Sequence, residues 1–336
     1  MEYYLFFVFY VFLILFFLYL YIKISNKYNI WRIYDSINNR EVVQSAGILI
    51  TLLLPLFFLI TYCVNPVLQN TINQMAPRPI VFIFGIILLG IVSLYDDIKS
   101  IDFRYRLGIQ LLVAFASLSL FFFPITNFFP IKVEQLIIIA IIIFIINTTN
   151  FYDGLDGMLN INTLFVCLTV LIVSYYEQQF FISTIIAIAL IPIIIILLPF
   201  NFPIAKIFMG DSGSIVIGYA MSIILLDLFI NKLYWIAAVI YFVPSADVTF
   251  TLIKKMYKKI NPWERLFDYI FLIPLIKFKQ NHTVVTLPFL ICNLINLFLV
   301  IVSYKIKISE LLIINIVIGI VFLIYCSNQR FFVKKK

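Results

Sequence analysis

Residues 136–175 read LIIIAIIIFIINTTNFYDGLDGMLNINTLFVCLTVLIVSY. Two apolar runs, 136–146 and 159–175, flank the polar stretch 147–158. Runs of this kind, back to back, read as two membrane-crossing helices with a polar connection between them. The connection packs Asn147, Asn150, Asp153 and Asp156 into apolar surroundings without one Lys or Arg. Carboxylates at a membrane edge with no local cation require a partner from elsewhere, and a divalent metal is the obvious candidate. Taken alone, the stretch reads more simply as a polar inter-helix loop. Matching groups on the same side of the membrane decide between the two.

Composition extends this reading to the whole chain. Of 336 residues, 64% are apolar and 12% charged, with a mean hydropathy of +1.10. No soluble domain hides that much apolar surface, so the fold class is an all-α polytopic integral membrane protein. Apolar windows at roughly 3–22, 46–64, 80–95, 107–123, 133–146, 159–176, 181–199, 215–230, 234–250, 286–304 and 311–327 predict about 11 transmembrane helices. The fifth window is short for a hydrocarbon core of ~30 Å. The first follows Glu2 rather than a basic leader and lacks a small-residue cleavage site, so it is expected to be a span. With no repeat and no Gly/Ser/Pro linker, residues 1–336 are expected to form a single transmembrane domain. Cys63, Cys167, Cys292 and Cys326 lie inside apolar runs and read as small hydrophobes, not as disulfides or metal ligands. With His282 the only histidine, a multi-histidine metal site is excluded.

The charge of +8 invites a nucleic-acid reading until the cations are placed. Segments 23–45, 96–106, 147–158, 200–214, 251–285 and 328–336 hold 19 of the 24 Lys and Arg. By the positive-inside rule these segments are cytoplasmic, with the N-terminus outside and the C-terminus cytoplasmic. The basic charge is therefore topological, nucleic acid is not an expected partner, and Lys254, Lys255, Lys258 and Lys259 are expected to meet anionic headgroups of the membrane lipids. Asp96, Asp97, Asp102, Asp153, Asp156, Asp211 and Asp247 fall in or beside the same cytoplasmic segments. Topology gives no reason for that accumulation, whereas a cytoplasmic-face active site does.

Two further stretches match the first. In 94–110, LYDDIKSIDFRYRLGIQ, Asp96 and Asp97 sit against the negative end of a helix macrodipole, where a divalent cation would relieve both. Arg106 and Gln110 share a helical face there, and the guanidinium could take a phosphate. Local Asp–Arg pairs in a solvated turn are the plainer alternative. In 201–218, NFPIAKIFMGDSGSIVIG, Asp211 lies between Gly210 and Gly213 at the start of a helix. A carboxylate, free N–H groups and a helix N-terminus suit a metal and an anionic phosphate. A simple cap by Asp211 or Ser212 is the alternative, though it accounts for neither the paired glycines nor Asn201 and Lys206.

In order and in spacing, these three stretches resemble the signature motifs of the polyprenyl-phosphate N-acetylhexosamine-1-phosphate transferases. The resemblance runs from 94 to 247, about half the chain. It is nearer the bacterial branch that starts O-antigen and teichoic-acid chains, which likewise has eleven spans, than the peptidoglycan-precursor branch. The resemblance implies transfer of a sugar-1-phosphate from UDP-N-acetylhexosamine to undecaprenyl phosphate at the bacterial inner membrane, with release of UMP. Mg²⁺ is the implied cofactor, with Mn²⁺ as a substitute. Asp211 would be the principal metal ligand, with Asn150 beside it. Asp96, Asp97 and Asp153 would be the catalytic carboxylates. Asn147, Asp156, Asn201, Phe208, Arg106 and Lys206 would hold substrate, the Phe208 ring lying against the base. A second copy of the chain, in a homodimer, belongs to the same set of expected partners.

The chain departs from the family's pattern in two loops. Residues 35–47, DSINNREVVQSAG, have no histidine, no proline and a single glycine where the family carries a His- and Arg-containing stretch rich in proline and glycine. The loop 251–285 lacks the family's histidine-rich motif and offers Glu264, Arg265, Asp268 and a downstream His282, which reads as a surface residue. Residues 269–276 of that loop are apolar enough to lie in the membrane interface. These departures raise an alternative, a member that binds nucleotide sugar or lipid phosphate without turnover. A transporter ranks last, because only Asp227 lies well inside a span.

Overall fold

The computed structural model describes residues 2–28, 32–35, 40–64, 78–121, 128–179, 181–260 and 269–327. The chain begins with helix α1 (Glu2–Tyr28) and a short antiparallel hairpin, β1 (Arg32–Asp35) and β2 (Arg40–Val43). Then follow α2 (Ile48–Val64), α3 (Arg78–Ile98), α4 (Phe103–Ser117), α5 (Ile131–Tyr152), α6 (Met158–Glu177), α7 (Ile182–Asn201) and α8 (Asp211–Ile230). The last part comprises α9 (Tyr234–Ile240), α10 (Phe242–Tyr257), α11 (Ile273–Phe278), α12 (Thr283–Ile306) and α13 (Ile313–Ser327). Among the described residues eight helices are long and apolar enough to cross a membrane, or nine if α9 and α10 form one span bent by 65°. The windows expected at 46–64 and 107–123 fall on the shorter α2 and α4, of 17 and 15 residues.

The bend between α9 and α10 follows from Pro244. Proline has no N–H to give the carbonyl of Ile240, and its ring clashes with that carbonyl, so the helix breaks at Tyr241. The short fifth window grows into the 22-residue α5, because residues 147–152 continue the helix instead of leaving it. The polar connection of the sequence reading is thus a five-residue turn, 153–157, entered from about one helical turn of Asn and Thr, 147–150.

Helix α8 is the hub. It is buried without interruption from Ser212 to Leu226, as expected for a helix apolar on all sides. Its Gly218 lets α8 approach the backbone of Ile146 in α5. The outer helices reverse the pattern of a soluble protein. Helix α12 buries Asn293 and Ser303 while exposing Ile291 and Phe298, and α13 buries Asn315 while exposing Val317 and Val321. Polar groups inward and apolar groups outward is the arrangement a lipid surround selects. The chain is a predominantly helical, multi-pass membrane protein.

A second apolar cluster supports the turn 153–157 from below: Tyr152, Leu155, Met158, Phe271, Phe289 and Phe322. It overturns the interfacial expectation for residues 269–276. Tyr269, Phe271, Leu272 and Leu275 are buried, with the Phe271 ring 4.5 Å from that of Tyr152. Asp247 explains why. Buried in α10, it accepts the backbone N–H groups of Ile270 and Phe271 at 2.9 and 3.0 Å, which draws the segment inward. All four cysteines are free thiols; Cys63 alone is exposed.

Candidate active site

Four helix ends meet at one end of the bundle: the C-termini of α3 and α5 and the N-termini of α4 and α8. Asp102 starts α4 by accepting the N–H of Arg104 at 2.8 Å, and this puts Arg106 one turn in. Arg106 Nη1 then donates to Asp96 Oδ2 at 2.6 Å and to Asp211 Oδ2 at 2.8 Å. Asp96 also accepts the N–H of Ile101 at 2.6 Å. The guanidinium assigned to phosphate by sequence is therefore engaged by two carboxylates, one from each flanking motif.

Asp97 takes a different course. It accepts the N–H groups of Asp211 at 2.9 Å and Ser212 at 3.2 Å, and the side-chain amide of Gln44 at 3.2 Å. Neither Asp211 nor Ser212 caps α8. The cap comes from Asp97, because the residue before the helix, Gly210, has no side chain to offer. Gly210 has φ 72°, and a Cβ there would come within 2.7 Å of Asp97 Oδ2, so glycine suits both the backbone and the space. The positive end of α8 thus stabilises an Asp97 carboxylate that the negative end of α3 would penalise. The free N–H groups expected for a phosphate are given to Asp97.

Asn150 Oδ1 accepts the hydroxyl of Ser214 at 2.8 Å, joining the middle motif to α8. Asn147 donates to Gln110 Oε1 at 2.9 Å and to Ile143 O at 2.8 Å, tying α5 to α4. Asp153 is half-buried and, among the described residues, makes no hydrogen bond through its carboxylate. Burial, with Asp211, Asp97 and Asp156 nearby, pushes its carboxyl well above the usual range. Among the described residues, Arg106 thus stands among more carboxylates than it can neutralise.

The other candidate residues build a wall beside this cluster. Asp156 is buried. Its N–H donates to His282 Nδ1 at 3.1 Å, its carbonyl accepts from Thr286 Oγ1 at 3.1 Å, and its Oδ2 accepts the N–H of Ala205 at 2.9 Å. Asn201 Oδ1 accepts from Gly157 N at 2.9 Å and Asn160 Nδ2 at 3.2 Å, while its amide donates to Ile207 O at 2.9 Å. Gly157 has φ 77°, and a Cβ on it would come within 2.7 Å of the Phe202 ring. Phe208 is half-buried and joined by its backbone to the hairpin, its N–H donating to Val43 O at 2.8 Å. Lys206 is exposed.

His282 is not a surface residue: it is 7% exposed and holds the first turn of α12 against Asp156. Its spacing four residues before Thr286, at the start of an apolar run, was the available signal. Gln44 follows β2, in the segment where the family's pattern is missing, so no motif points to it. Glu264, Arg265 and Asp268 lie outside the described residues.

The donor set fits a hard divalent cation, which takes oxygen ligands. Asp96 and Asp211 already converge on one cationic atom, and Asp153 brings a carboxylate with no cation of its own. Among the described residues, no three such side chains are preassembled as a cage; their oxygens are shared between Arg106 and the N–H groups of α8.

Fold and site together define a multi-pass membrane protein with a carboxylate-rich polar site where four helix ends meet. Residues 79–229, which hold all three motifs, match glycosyl transferase family 4. Among curated proteins, the chain is similar to a probable undecaprenyl-phosphate N-acetylglucosaminyl 1-phosphate transferase of Bacillus subtilis (strain 168), 29% identical over 52% of this chain and 51% of the relative. It is similar to an undecaprenyl-phosphate alpha-N-acetylglucosaminyl 1-phosphate transferase of Thermotoga maritima, 27% identical over 54% of this chain and 56% of the relative. A phospho-N-acetylmuramoyl-pentapeptide-transferase of Clostridium beijerinckii is 26% identical over 57% of this chain and 67% of that protein. The chain spans about half the length of the first two of these relatives.

Proposed function

We propose that the chain transfers an N-acetylhexosamine-1-phosphate from a UDP-sugar to undecaprenyl phosphate and releases UMP, as a first membrane step of cell-envelope polysaccharide synthesis. One observation carries this reading. Asp96, Asp97, Arg106, Asn150, Asp153 and Asp211, far apart in sequence, converge where four helix ends meet, inside the segment that matches the family. The relatives named above are sugar-phosphate transferases acting on polyprenyl phosphates or on related acceptors, which supports the same chemistry here. The excess of Lys and Arg in the segments flanking the site supports a cytoplasmic-facing location in a bacterial inner membrane.

The reaction joins two anions, a lipid phosphate and a diphosphate, against their mutual repulsion. Mg²⁺, or Mn²⁺ in its place, held by Asp211 with Asn150 and Asp153, would neutralise phosphate charge and stabilise the departing UMP. Arg106 supplies the guanidinium fork that a phosphate accepts. The second pKa of a phosphate monoester is near ~6, so the nucleophile is largely dianionic at neutral pH. Asp96 and Asp97 then serve mainly to position groups: Asp96 aims Arg106, and Asp97 fixes the start of α8 and with it Asp211. Asp156 and Asn201 set the wall beside the site, with Phe208 and Lys206 on the strand-like segment that follows.

The test is UMP release by purified chain given undecaprenyl phosphate, Mg²⁺ and each of a series of UDP-amino sugars. Release with one of them, abolished by Asp211→Ala, supports the reading. Folded protein that releases no UMP from any of them overturns it. The engagement of Asp156 and Asn201 by the protein's own backbone favours a second reading, binding without turnover. UDP binding without UMP release would establish it.

A further inference from the structure

The shared contact of Arg106 goes beyond positioning. A guanidinium commonly meets carboxylates through two parallel bonds from its fork. Here a single nitrogen, Nη1, serves Asp96 at 2.6 Å and Asp211 at 2.8 Å, while Nε and Nη2 make no hydrogen bond among the described residues. The Asp96 side chain is 7% exposed and those of Arg106 and Asp211 about one-fifth, so water screens the three charges weakly. Two oxygens from different helices thus converge on one positively charged atom. A hard cation asks for the same convergence.

We infer that Arg106 is an internal cation that holds the metal position in the ligand-free protein, and that metal binding hands it over to the substrate phosphate. The inference rests on the metal assignment in the proposed function. Nη1 and a divalent ion compete for Asp211: both are positive, both would sit against the same carboxylate, and the surroundings screen their repulsion poorly. When the ion takes Asp211, the guanidinium is displaced towards the opening, with its unused fork facing the reaction space. The phosphate ligand then completes what the carboxylate has given up. In the empty state the pair keeps Asp96 and Asp211 from repelling each other. Breaking the pair weakens metal binding on its own, and a phosphate that takes up the freed guanidinium offsets part of that cost, so the two should bind cooperatively.

The test titrates Mn²⁺ into detergent-purified full-length protein with no sugar or lipid present, following the loss of the free-ion signal by electron paramagnetic resonance. Arg106→Gln, which removes the competing charge, should bind Mn²⁺ about tenfold more tightly than the unaltered protein. Arg106→Lys, which keeps the charge, should stay within about threefold. Asp211→Asn should lose binding in either background, and matching thermal unfolding curves establish that the variants are folded. Mn²⁺ affinity equal to or weaker than that of the unaltered protein in folded Arg106→Gln overturns the inference and leaves the transferase reading to its own UMP-release test. If neither protein binds Mn²⁺, the metal assignment and this inference fall together.

Discussion

Two neighbouring polar regions of this protein have similar compositions and opposite states. Around Asp96, Asp97, Asp153 and Asp211, carboxylates outnumber the single guanidinium that bridges them, and Asp153 is left with raised affinity for a proton. Around Asp156, Asn201 and His282, most polar atoms are matched to groups of the fold, chiefly backbone N–H and C=O, although His282 Nε2 is buried without a hydrogen-bond partner among the described residues. The first region, among the described residues, holds more carboxylate than cation and therefore has something to gain from a ligand. The second has met most of its needs within the fold. Residue type alone does not separate a site from its supporting wall; the balance of partners does.

The largest effect expected from this contrast is on rate. Asp211→Asn should lower UMP release by about 10²–10³-fold, the scale on which one electrostatic stabiliser acts at a reacting phosphate, with the fold intact. A comparable loss from Asp156→Asn would erase the distinction between the two regions. Next comes Asp97→Ala. Because Asp97 caps α8 from another helix, its removal should cost about 1–2 kcal/mol of stability, the worth of a good N-cap, besides disturbing Asp211. Thermal unfolding of the metal-free variant reads this directly.

Asp153→Asn should act in the opposite direction. The folded state raises the pKa of this carboxyl above its unfolded value of 3.8. The folded protein therefore binds the proton more tightly, and stability falls as pH rises from the unfolded value through the folded one. Above that window the metal-free protein bears the full penalty of an uncompensated charge. Asn removes it and should raise the midpoint at neutral pH by roughly 2–4 °C, an order-of-magnitude figure for ~1 kcal/mol in a large domain. In the unaltered protein Mn²⁺ should produce the same rise, and in the variant much less. A midpoint unchanged by the substitution would mean that Asp153 belongs with the satisfied wall.

The class of fold was legible at once, because 64% apolar residues leave no other solution. The residues that gather at the site were legible too, since charged and amide groups at the ends of apolar runs are costly without a use. Their pairings were not. That Asp97 caps α8, or that Arg106 bridges Asp96 and Asp211, depends on helix ends more than 100 residues apart in sequence meeting in space. The stretch 147–152 was misread as loop because Asn and Thr disfavour helix in water. In α5 their side chains instead bond to preceding carbonyls, Asn147 to Ile143 and Thr149 to Ile145, and to neighbouring helices. His282 was taken as exposed because polar residues near a helix start usually are. Only the packing of α12 on the turn 153–157 buries it.

The smallest expected effect is the sharpest on chemistry. His282 Nδ1 lies 3.1 Å both from the backbone N of Asp156 and from its Oδ1. As a lone pair it accepts the N–H; as an N–H it donates to the carboxylate; it cannot do both. If it is an acceptor, His282→Ala leaves the Asp156 N–H buried without a partner, at about 1–3 kcal/mol. His282→Asn, whose Oδ1 takes nearly the place of Nδ1, should then restore stability to within about 0.5 kcal/mol, which is the scatter of ordinary substitutions. If it is a charged donor instead, Asn cannot replace the ion pair, and both variants fall alike. Because the wall is otherwise built of neutral backbone partners, the acceptor role is expected, and the Asn variant should retain UDP binding at all pH values where the unaltered protein does. Failure of Asn to rescue would make Nδ1 a donor to the Asp156 carboxylate, and the contrast between a charge-starved site and its support would have to be redrawn around that bond.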